Sequence, residues 1–334
     1  MMQDPAHPTR RMFLTTAAAG LASSAVLGGG RLPWRARAAE GAPARPLTIG
    51  LITDLHHGNL TPDADERLDA FLQHVADRGD VDLLMQLGDF CHPADDARGL
   101  CERFNAFEGP KLHVLGNHDM DLGTKQEIMD LWGMPARYGS TDIGGVHFVT
   151  LDRNNLKTDA GFTPYANANF YVDGAIRAWA DDAQLEWLAA DLAETDLPTI
   201  VLTHQPLGVE AGGVADASPQ AAPIMRLLEQ ANEDAGWAKV QACFCGHYHI
   251  DDAQTHAGIH YLQFNSVSYK WVREPVRYDE ALFAFVTLDP AGTLSVEGRS
   301  TAWADPPPEA RELEGDFPAP AISDREMDTA TPPR

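Results

Sequence analysis

The sequence predicts an α/β protein in which helices pack on β-sheets. Short apolar, β-branched runs alternate along the chain with stretches whose apolar residues recur at helical spacing, a pattern typical of layered domains. With 334 residues, of which 44% are hydrophobic, the chain can also bury a substantial core. We therefore expect one domain with a dispensable segment at each end.

The elements can be assigned in chain order. The apolar run 47–53 predicts a first strand. Leu68, Phe71 and Val75 then recur at helical spacing, which predicts a helix over 63–78 that ends at Gly79. Further strands are predicted at 81–87, 112–115, 146–151, 199–203, 240–245 and 261–264, and further helices at 182–194 and 223–232.

A hairpin is predicted to close the domain. Its strands are 282–288 and 293–297, and the turn sequence Asp-Pro-Ala-Gly at 289–292 joins them. Residues 303–334 are rich in Pro, Asp and Glu and contain few large apolar residues. Because such a segment cannot offset its own ordering entropy, we expect it to be a disordered tail.

Residues 1–38 have the pattern of an export signal. Arg10 and Arg11 precede a weakly apolar run over 15–27, and the small-x-small sequence Ala-Arg-Ala follows at 36–38. This segment resembles a twin-arginine (Tat) signal peptide. A membrane anchor is disfavoured because the run is short and contains Gly, Ser and Thr. We therefore expect recognition by the Tat translocase, a periplasmic or extracellular location, and no stable membrane span in the mature form.

The charge of the chain limits its partners. Asp and Glu number 49 against 25 Lys and Arg, so the formal net charge is −24. Such a surface repels polyanions, and nucleic acid is not expected as a partner, nor a secreted nuclease as the function. An acidic protein can still bind a small anion where metal cations dominate the local field, so metal ligands are the feature to look for.

Five short motifs of possible metal ligands stand where predicted strands end, the edge at which open α/β sheets collect ligands. They are Asp54-Leu55-His56, Gly88-Asp89, Gly116-Asn117-His118-Asp119, His204 and Gly246-His247-Tyr248-His249. The first and last motifs each carry two ligands two residues apart, and such residues share a face of an extended segment. Asp-x-His, Gly-Asp and a single His are weak signals and Gly-Asn-His-Asp is a more specific one, but their joint occurrence after apolar runs predicts one site.

The residue types indicate a transition-metal site. Imidazole nitrogens and carboxylate oxygens suit Mn, Fe or Zn, whereas a pure oxygen cage would suit Ca or Mg. Two such ions about 3.5–4 Å apart can bind substrate oxygens and lower the pKa of a bridging water, which makes hydroxide available near neutral pH. A pair of ions needs a bridging carboxylate, for which Asp89 is the natural candidate.

The ordered motifs resemble those of the calcineurin-like metallophosphoesterase superfamily over about residues 47–300. The resemblance implies a four-layer αββα sandwich with two mixed β-sheets. It implies one metal held by Asp54, His56, Asp89 and His249, and a second held by Asp89, Asn117, His204 and His247. His118 would be the catalytic histidine that contacts the phosphate and assists the leaving group, a role that imidazole can perform.

The implied function is hydrolysis of a small phosphomonoester or phosphodiester by a metal-activated hydroxide. Gly88-Asp89 is followed by Phe-Cys-His-Pro, without the Asp-Arg-Gly of the Ser/Thr protein phosphatases. His92 stands where purple acid phosphatases place a Tyr ligand. The similarity is closer to small-molecule members, including class III cyclic-nucleotide phosphodiesterases. The ligand set does not separate monoesterase from diesterase, and a metal-binding scaffold without turnover is the alternative from another class.

Several residues near these motifs are candidates for substrate binding. His57 and His92 lie beside ligands and either line the pocket or are structural. The long connection 153–171 contains Asn154 and Tyr165, and the segment 268–273 places Tyr269 among aromatic and basic residues. Either segment could hold the leaving group or form an ordinary surface loop.

The four cysteines fall into two pairs in a chain expected to reach an oxidising compartment. Cys243 and Cys245 lie two apart on a predicted strand, a spacing poorly suited to a bridge, so we expect buried thiols there. The separation of Cys91 and Cys101 permits a disulfide, but nothing fixes their geometry, and free thiols are slightly favoured.

Overall fold

The computed structural model describes residues 34–37, 45–208, 218–272, 274–304 and 320–333. The strands, in chain order, are β1 (Trp34–Arg37), β2 (Leu47–Ile52), β3 (Leu83–Gln86), β4 (Lys111–His113), β5 (Gly139–Ile143), β6 (Val146–Thr150), β7 (Asn155–Thr158), β8 (Gly161–Pro164), β9 (Thr199–Leu202), β10 (Val240–Cys245), β11 (Asp252–His256), β12 (Ile259–Gln263), β13 (Tyr269–Val272), β14 (Glu274–Arg277), β15 (Ala284–Asp289), β16 (Thr293–Glu297) and β17 (Arg325–Asp328). The α-helices are α1 (Ala64–Arg78), α2 (Ala97–Asn105), α3 (Lys125–Trp132), α4 (Asp182–Glu194) and α5 (Ala222–Ala235). Two short 3-10 helices cover His118–Met120 and Gly174–Ile176.

The described strands form two large mixed sheets and two small hairpins. One large sheet has the order β17-β16-β15-β2-β3-β4, with β2, β3 and β4 parallel and β15 antiparallel to β2. The other has the order β1-β5-β6-β9-β10-β12-β11, with β6, β9, β10 and β12 parallel. The carboxyl ends of the parallel strands in each sheet therefore lie along one edge.

The two sheets share an apolar core because their strands alternate with a period of two. In β2, Ile49 and Leu51 point to the core between the sheets, together with Phe148 and Phe244 from the other sheet. The opposite faces carry the helices. Helices α1, α2 and α3 cover the β2 sheet, and α4 and α5 cover the β10 sheet. The layers are helix, sheet, sheet and helix, which confirms the four-layer prediction.

The long amphipathic helices agree with their predicted positions. Helix α1 ends at Gly79, whose φ of 69° provides the left-handed C-cap, and α4 begins after Asp181, whose side chain accepts from the backbone N–H of Gln184. The shorter α2 and α3 were not predicted. Helix α3 nevertheless carries a readable signal, a capping box between Thr124 and Glu127.

The prediction of a disordered tail is wrong for residues 320–333. Strand β17 pairs antiparallel with β16, Ile322 is buried, and Arg325 Nη1 donates to Asp251 Oδ1 at 2.7 Å. The error has a physical cause: this segment draws its stability from the open edge of β16, whose backbone groups need partners, rather than from apolar content of its own. Residues 305–319 of the predicted tail lie outside the described residues.

The predicted signal segment lies mostly outside the described residues, including Arg10 and Arg11. Its described part is β1, which pairs parallel with β5. Within the part of the chain that the structure describes, no helix combines the length and apolar character needed to cross a membrane.

The described cysteines are all free and buried. Cys243 and Cys245 are thiols on β10, as predicted. The Sγ atoms of Cys91 and Cys101 lie 3.7 Å apart without a bond, and the indole N–H of Trp132 donates to the Cys91 sulfur.

Candidate metal centre

The predicted ligands lie on loops that directly follow the parallel strands. Five of them have left-handed backbone conformations, with φ between 50° and 77°: Asp54, His56, Asp89, His247 and His249. Such conformations are uncommon for residues with a side chain and persist where the surrounding structure holds them. Backbone hydrogen bonds hold these loops together, from Asp54 N–H to the Gly88 carbonyl and from His56 N–H to the Asp89 carbonyl.

Two glycines allow the loops to approach one another closely. A Cβ added at Gly116 would collide with the backbone and carboxylate of Asp89, and one at Gly246 would collide with Thr53 and Asp54. Glycine is therefore required at both positions, because any side chain would displace a candidate ligand.

The first ligand group comprises Asp54, His56 and His249, whose ligand atoms lie within 4.8 Å of one another. The Nε2 atom of His249 lies 3.2 Å from Asp54 Oδ1 and 3.2 Å from the Nε2 of His56. All three side chains are buried. Because these side chains are buried, we call the three residues the closed group.

The second ligand group comprises Asp89, His204 and His247, again within 4.8 Å of one another. His204 Nε2 lies 3.0 Å from Asp89 Oδ2 and 3.2 Å from the Nδ1 of His247. Asn117 lies beside this group, since the neighbouring N–H of His118 donates to Asp89 Oδ1 at 2.7 Å. We call Asp89, His204, His247 and Asn117 the open group.

Asp89 connects the two groups. Its Oδ2 atom lies 3.0 Å from His204 Nε2 and 3.8 Å from His56 Nε2. This position between the groups suits a carboxylate shared by two ions.

The side chains present fit metal ions. Asn117 Oδ1 is buried and has no hydrogen-bond partner among the described residues, although a buried carbonyl oxygen ordinarily requires one. In each group, imidazole nitrogens 3.2 Å apart also converge on carboxylate oxygens. A bound cation would satisfy these atoms together, and the mixed N and O donors suit Mn, Fe or Zn.

Two carbonyl groups orient the ligand imidazoles. His204 Nδ1 lies 2.8 Å from the Leu87 carbonyl, and His249 Nδ1 lies 2.7 Å from the Tyr269 carbonyl. Because a carbonyl can only accept, Nδ1 carries a proton in both rings, and Nε2 is the nitrogen available to a metal ion.

The pKa values divide the ligand histidines into two kinds. Burial lowers the pKa of His56 and of His247 to about 3, so both rings are neutral and ready to bind a cation. Burial also opposes protonation of His204, but the adjacent Asp89 carboxylate raises its pKa to about 9. A metal ion must therefore displace a proton from His204.

Asp119 is a supporting residue whose role the sequence did not reveal. Its buried carboxylate accepts hydrogen bonds from four backbone N–H groups, at distances of 2.7–3.1 Å. The donors belong to Asp89, Phe90, Cys91 and Gly116. Asp119 thus ties the loop that bears Asp89 to the loop that bears Asn117.

His118 belongs to neither ligand group. Its Nδ1 lies 2.8 Å from Asp121 Oδ2, its side chain is 28% exposed, and its ring centroid lies 5.3 Å from that of His56. Burial opposes protonation of His118, but the carboxylates of Asp89 and Asp121 raise its pKa. Asp121 therefore holds one of the two ring nitrogens of His118.

Four of the predicted substrate-binding residues contact protein groups. His57 Nε2 lies 3.5 Å from an Asp65 carboxylate oxygen on α1, and His92 Nε2 lies 3.7 Å from Asp121 Oδ2. Asn154 is fully buried, donating to the Leu115 carbonyl and accepting from the Gln205 amide. The Tyr269 ring packs on His56 and His249 with centroids 5.1 and 4.7 Å away.

Tyr165, the remaining candidate, borders a cavity of about 390 Å³ that opens beside the open group. Its hydroxyl accepts from the N–H of Ala178 at 2.8 Å. The lining residues are Asn117, Arg153, Tyr165, Phe170, Gly174, Arg177, Ala178, Gln205, Pro206, Ser218, Gln220, His247 and Tyr248. Sequence reasoning missed Arg177 and Tyr248; the available signals were an arginine in an acidic chain and an aromatic residue between two ligands.

Comparison with known proteins identifies the arrangement. The family model for calcineurin-like phosphoesterases matches residues 47–251, more than half of the chain. A curated relative, the manganese-dependent ADP-ribose/CDP-alcohol diphosphatase of Arabidopsis thaliana, is 22% identical over 255 residues, which cover 63% of this chain and 76% of that protein.

Two solved structures share the fold. A dimetal phosphatase from Danio rerio has a TM-score of 0.56 at 16% identity, covering 85% of this chain and 99% of the other. GAP50, the anchor in the inner membrane complex of Plasmodium, has a TM-score of 0.52 at 14% identity, covering 86% and 90%. Since the matched residues 47–251 contain all the strand-end loops of both ligand groups, the chain belongs to the calcineurin-like phosphoesterase family of hydrolases that act on phosphoric ester bonds.

Proposed function

We propose that the protein is a binuclear metal-dependent phosphoesterase that hydrolyses a small phosphomonoester or phosphodiester. The observation that carries the proposal is the position of Asp89 between two ligand groups, with His118 beside them and a cavity at the open group. Two ions would be held by the closed and the open groups, with Asp89 shared.

We propose manganese as the metal, because the ligand atoms suit it and the Arabidopsis relative is described as manganese-dependent. Bound ions supply charge stabilisation for phosphoryl oxygens and lower the pKa of water. The chain itself contributes the orientation of its ligands through the carbonyls of Leu87 and Tyr269 and through the Asp119 carboxylate.

His118 is proposed as the group that assists departure of the leaving group. Asp121 accepts from Nδ1, which fixes the plane of the ring and stabilises its protonated form. The other nitrogen, Nε2, can then contact the phosphate and donate its proton to the departing alkoxide. The Nε2 atom of His92 lies 3.7 Å from the same Asp121 oxygen.

The test is turnover and metal content of the purified protein after reconstitution with Mn, Fe or Zn. Substrates would be p-nitrophenyl phosphate as a monoester, bis(p-nitrophenyl) phosphate as a diester, 3′,5′-cyclic AMP for the cyclic-nucleotide alternative, and ADP-ribose for a diphosphate linkage. We expect hydrolysis of at least one ester with about two ions bound per chain. Metal binding without hydrolysis of any would favour the scaffold alternative and overturn the proposal.

Export by the Tat pathway to the periplasm or the medium is a further part of the proposal. It rests on the sequence of residues 1–38, with Arg10 and Arg11 ahead of an apolar run. Changing both to lysine should retain the precursor in the cytoplasm, whereas the matched pair Arg35→Lys and Arg37→Lys should not. Undiminished export of the Arg10→Lys/Arg11→Lys protein, measured by cell fractionation, would contradict the assignment.

A further inference from the structure

The cavity beside the open group differs in charge from the rest of the protein. The chain has 49 acidic residues and a net charge of −24, yet none of the described residues that line this cavity is acidic. Two of the lining residues, Arg153 and Arg177, are basic. Because Asn117 and His247 also line it, the cavity runs from the candidate metal ligands to a basic wall.

The two arginines have different roles. Arg153 is buried, and its guanidinium donates to the carbonyls of Gln205 and Pro206 at 3.0 and 2.6 Å and to that of Ala178 at 3.2 Å. These hydrogen bonds join Arg153 to three other residues that line the cavity, and we call this side of the cavity the basic wall. Arg177 is only partly buried. It precedes Ala178, whose carbonyl accepts from Arg153.

The residue that follows Arg177 has a strained backbone conformation, which its neighbours hold in place. Ala178, the next residue, has a φ of 61°, which residues with a Cβ rarely adopt. Its N–H donates to the Tyr165 hydroxyl and its carbonyl accepts from Arg153. Gln220 Nε2 donates to the carbonyls of Gly174 and Ala175 on the same loop. Strain that neighbours maintain in this way is typical of residues placed for function.

Building on the proposed phosphoesterase function, we propose that Arg177 binds a second phosphate group of the substrate, so that the enzyme prefers diphosphates over esters with one phosphate. With the scissile phosphate at the ligand groups, the next phosphate extends into the cavity towards the basic wall. A guanidinium matches a phosphate by two parallel hydrogen bonds and keeps its charge at every working pH. The volume of about 390 Å³ lies in the range of small-ligand pockets.

The test compares ADP-ribose, which has two linked phosphates, with bis(p-nitrophenyl) phosphate, which has one, on the manganese-reconstituted protein. Losing a charge-assisted contact should lower the ratio of kcat/KM for ADP-ribose to that for the monophosphate diester about 10- to 100-fold in Arg177→Gln. The matched control is Arg226→Gln, an exposed arginine on α5 outside the cavity, which should keep the wild-type ratio. Melting temperature and metal content would verify that each variant is folded and loaded.

The outcomes separate this inference from the proposed function. If the wild type hydrolyses neither compound, nor any other phosphate ester, the proposed function itself fails. If it hydrolyses the monophosphate diester but not ADP-ribose, or if Arg177→Gln lowers both activities equally, only the diphosphate inference is overturned.

Tyr165 provides a second, milder test of the same inference. Tyr165→Phe removes the oxygen that accepts from Ala178 N–H and so loosens the position of Arg177. We expect the KM for ADP-ribose to rise about 3- to 10-fold with kcat little changed, because only substrate binding depends on this contact. An unchanged KM would overturn the positioning role of Tyr165.

Discussion

The two ligand groups use the same residue types in different surroundings. The closed group is buried, with the Tyr269 ring packed on His56 and His249 and the Tyr269 carbonyl bound to His249. In the open group, Asn117 and His247 line the cavity. Similar donors are therefore enclosed by protein on one side and reachable by a small molecule on the other.

This difference assigns separate tasks to the two halves of the centre. A site enclosed by protein has its geometry set by the chain, whereas a catalytic site needs a position open to substrate. We infer that substrate enters beside the open group. The closed group helps to hold Asp89, the carboxylate that the two groups share. The predictions below test that division, from the largest expected effect to the smallest.

Asp89→Ala should weaken metal binding in the closed and the open group at once. Because the Asp89 carboxylate lies against ligands of both groups, we expect loss of most bound metal and a fall in kcat/KM on the order of 10⁴-fold. Metal analysis beside steady-state kinetics checks this, with the exposed Asp95→Ala as control. A fully reconstituted, active wild type with a single ion would contradict the shared-carboxylate mechanism.

His118→Ala should lower kcat by about 10²- to 10⁴-fold while leaving metal content unchanged, because His118 belongs to neither group. Its neighbour serves as the comparison: Asn117→Ala should release metal from the open group. The loss at His118 should shrink for a nitrophenolate leaving group, which needs little protonation. Equal losses with poor and good leaving groups would remove the proton-donor role and leave phosphate contact as the function of His118.

His247→Ala and His249→Ala should separate the groups. Each removes one imidazole, so we expect each to retain about one ion and to lose roughly 10²- to 10³-fold in kcat/KM. Only His247→Ala should also raise the KM, since His247 lines the cavity. Titration with Mn²⁺, followed by electron paramagnetic resonance, would distinguish the remaining sites. Identical kinetic defects in the two variants would refute an open and a closed half.

Tyr269→Leu should have the smallest effect and act on the closed group alone. Losing the ring that packs on His56 and His249 should weaken metal binding there about 10-fold, with the KM unchanged. Metal titration and kinetics at saturating Mn²⁺ measure the two quantities. A raised KM at full metal occupancy would instead restore Tyr269 as a substrate contact, as the sequence suggested.

The strand-end motifs show why part of the site could be predicted. Asp54, Asp89 and His204 each follow an apolar run, and the carboxyl ends of parallel strands meet at one edge, so local pattern and topology together imply proximity. The structure does bring these residues together. No comparable rule covers Arg177. Its loop is held by the Tyr165 hydroxyl, which accepts from Ala178 N–H, and by Gln220, which donates to the Gly174 carbonyl.

Some predictions fail because the sequence shows the chemistry of a residue but not the groups that it contacts in the fold. Asn154 belongs to a long loop that suggested substrate binding, yet its amide is used between Leu115 and Gln205. The tail offered too little apolar surface to fold alone, but β16 had an open edge to pair with. In both cases, contacts between residues far apart in sequence determined the outcome.

The sequence by itself determined the layered α/β fold, the long helices and the residues able to hold metal, because hydrophobic period and residue chemistry are local properties. Only the tertiary structure decided that one ligand group is enclosed while the other borders a cavity, which arginines line that cavity and where the tail pairs. Those features depend on loops meeting across the fold, and loop conformations are set by distant partners more than by the residues within them.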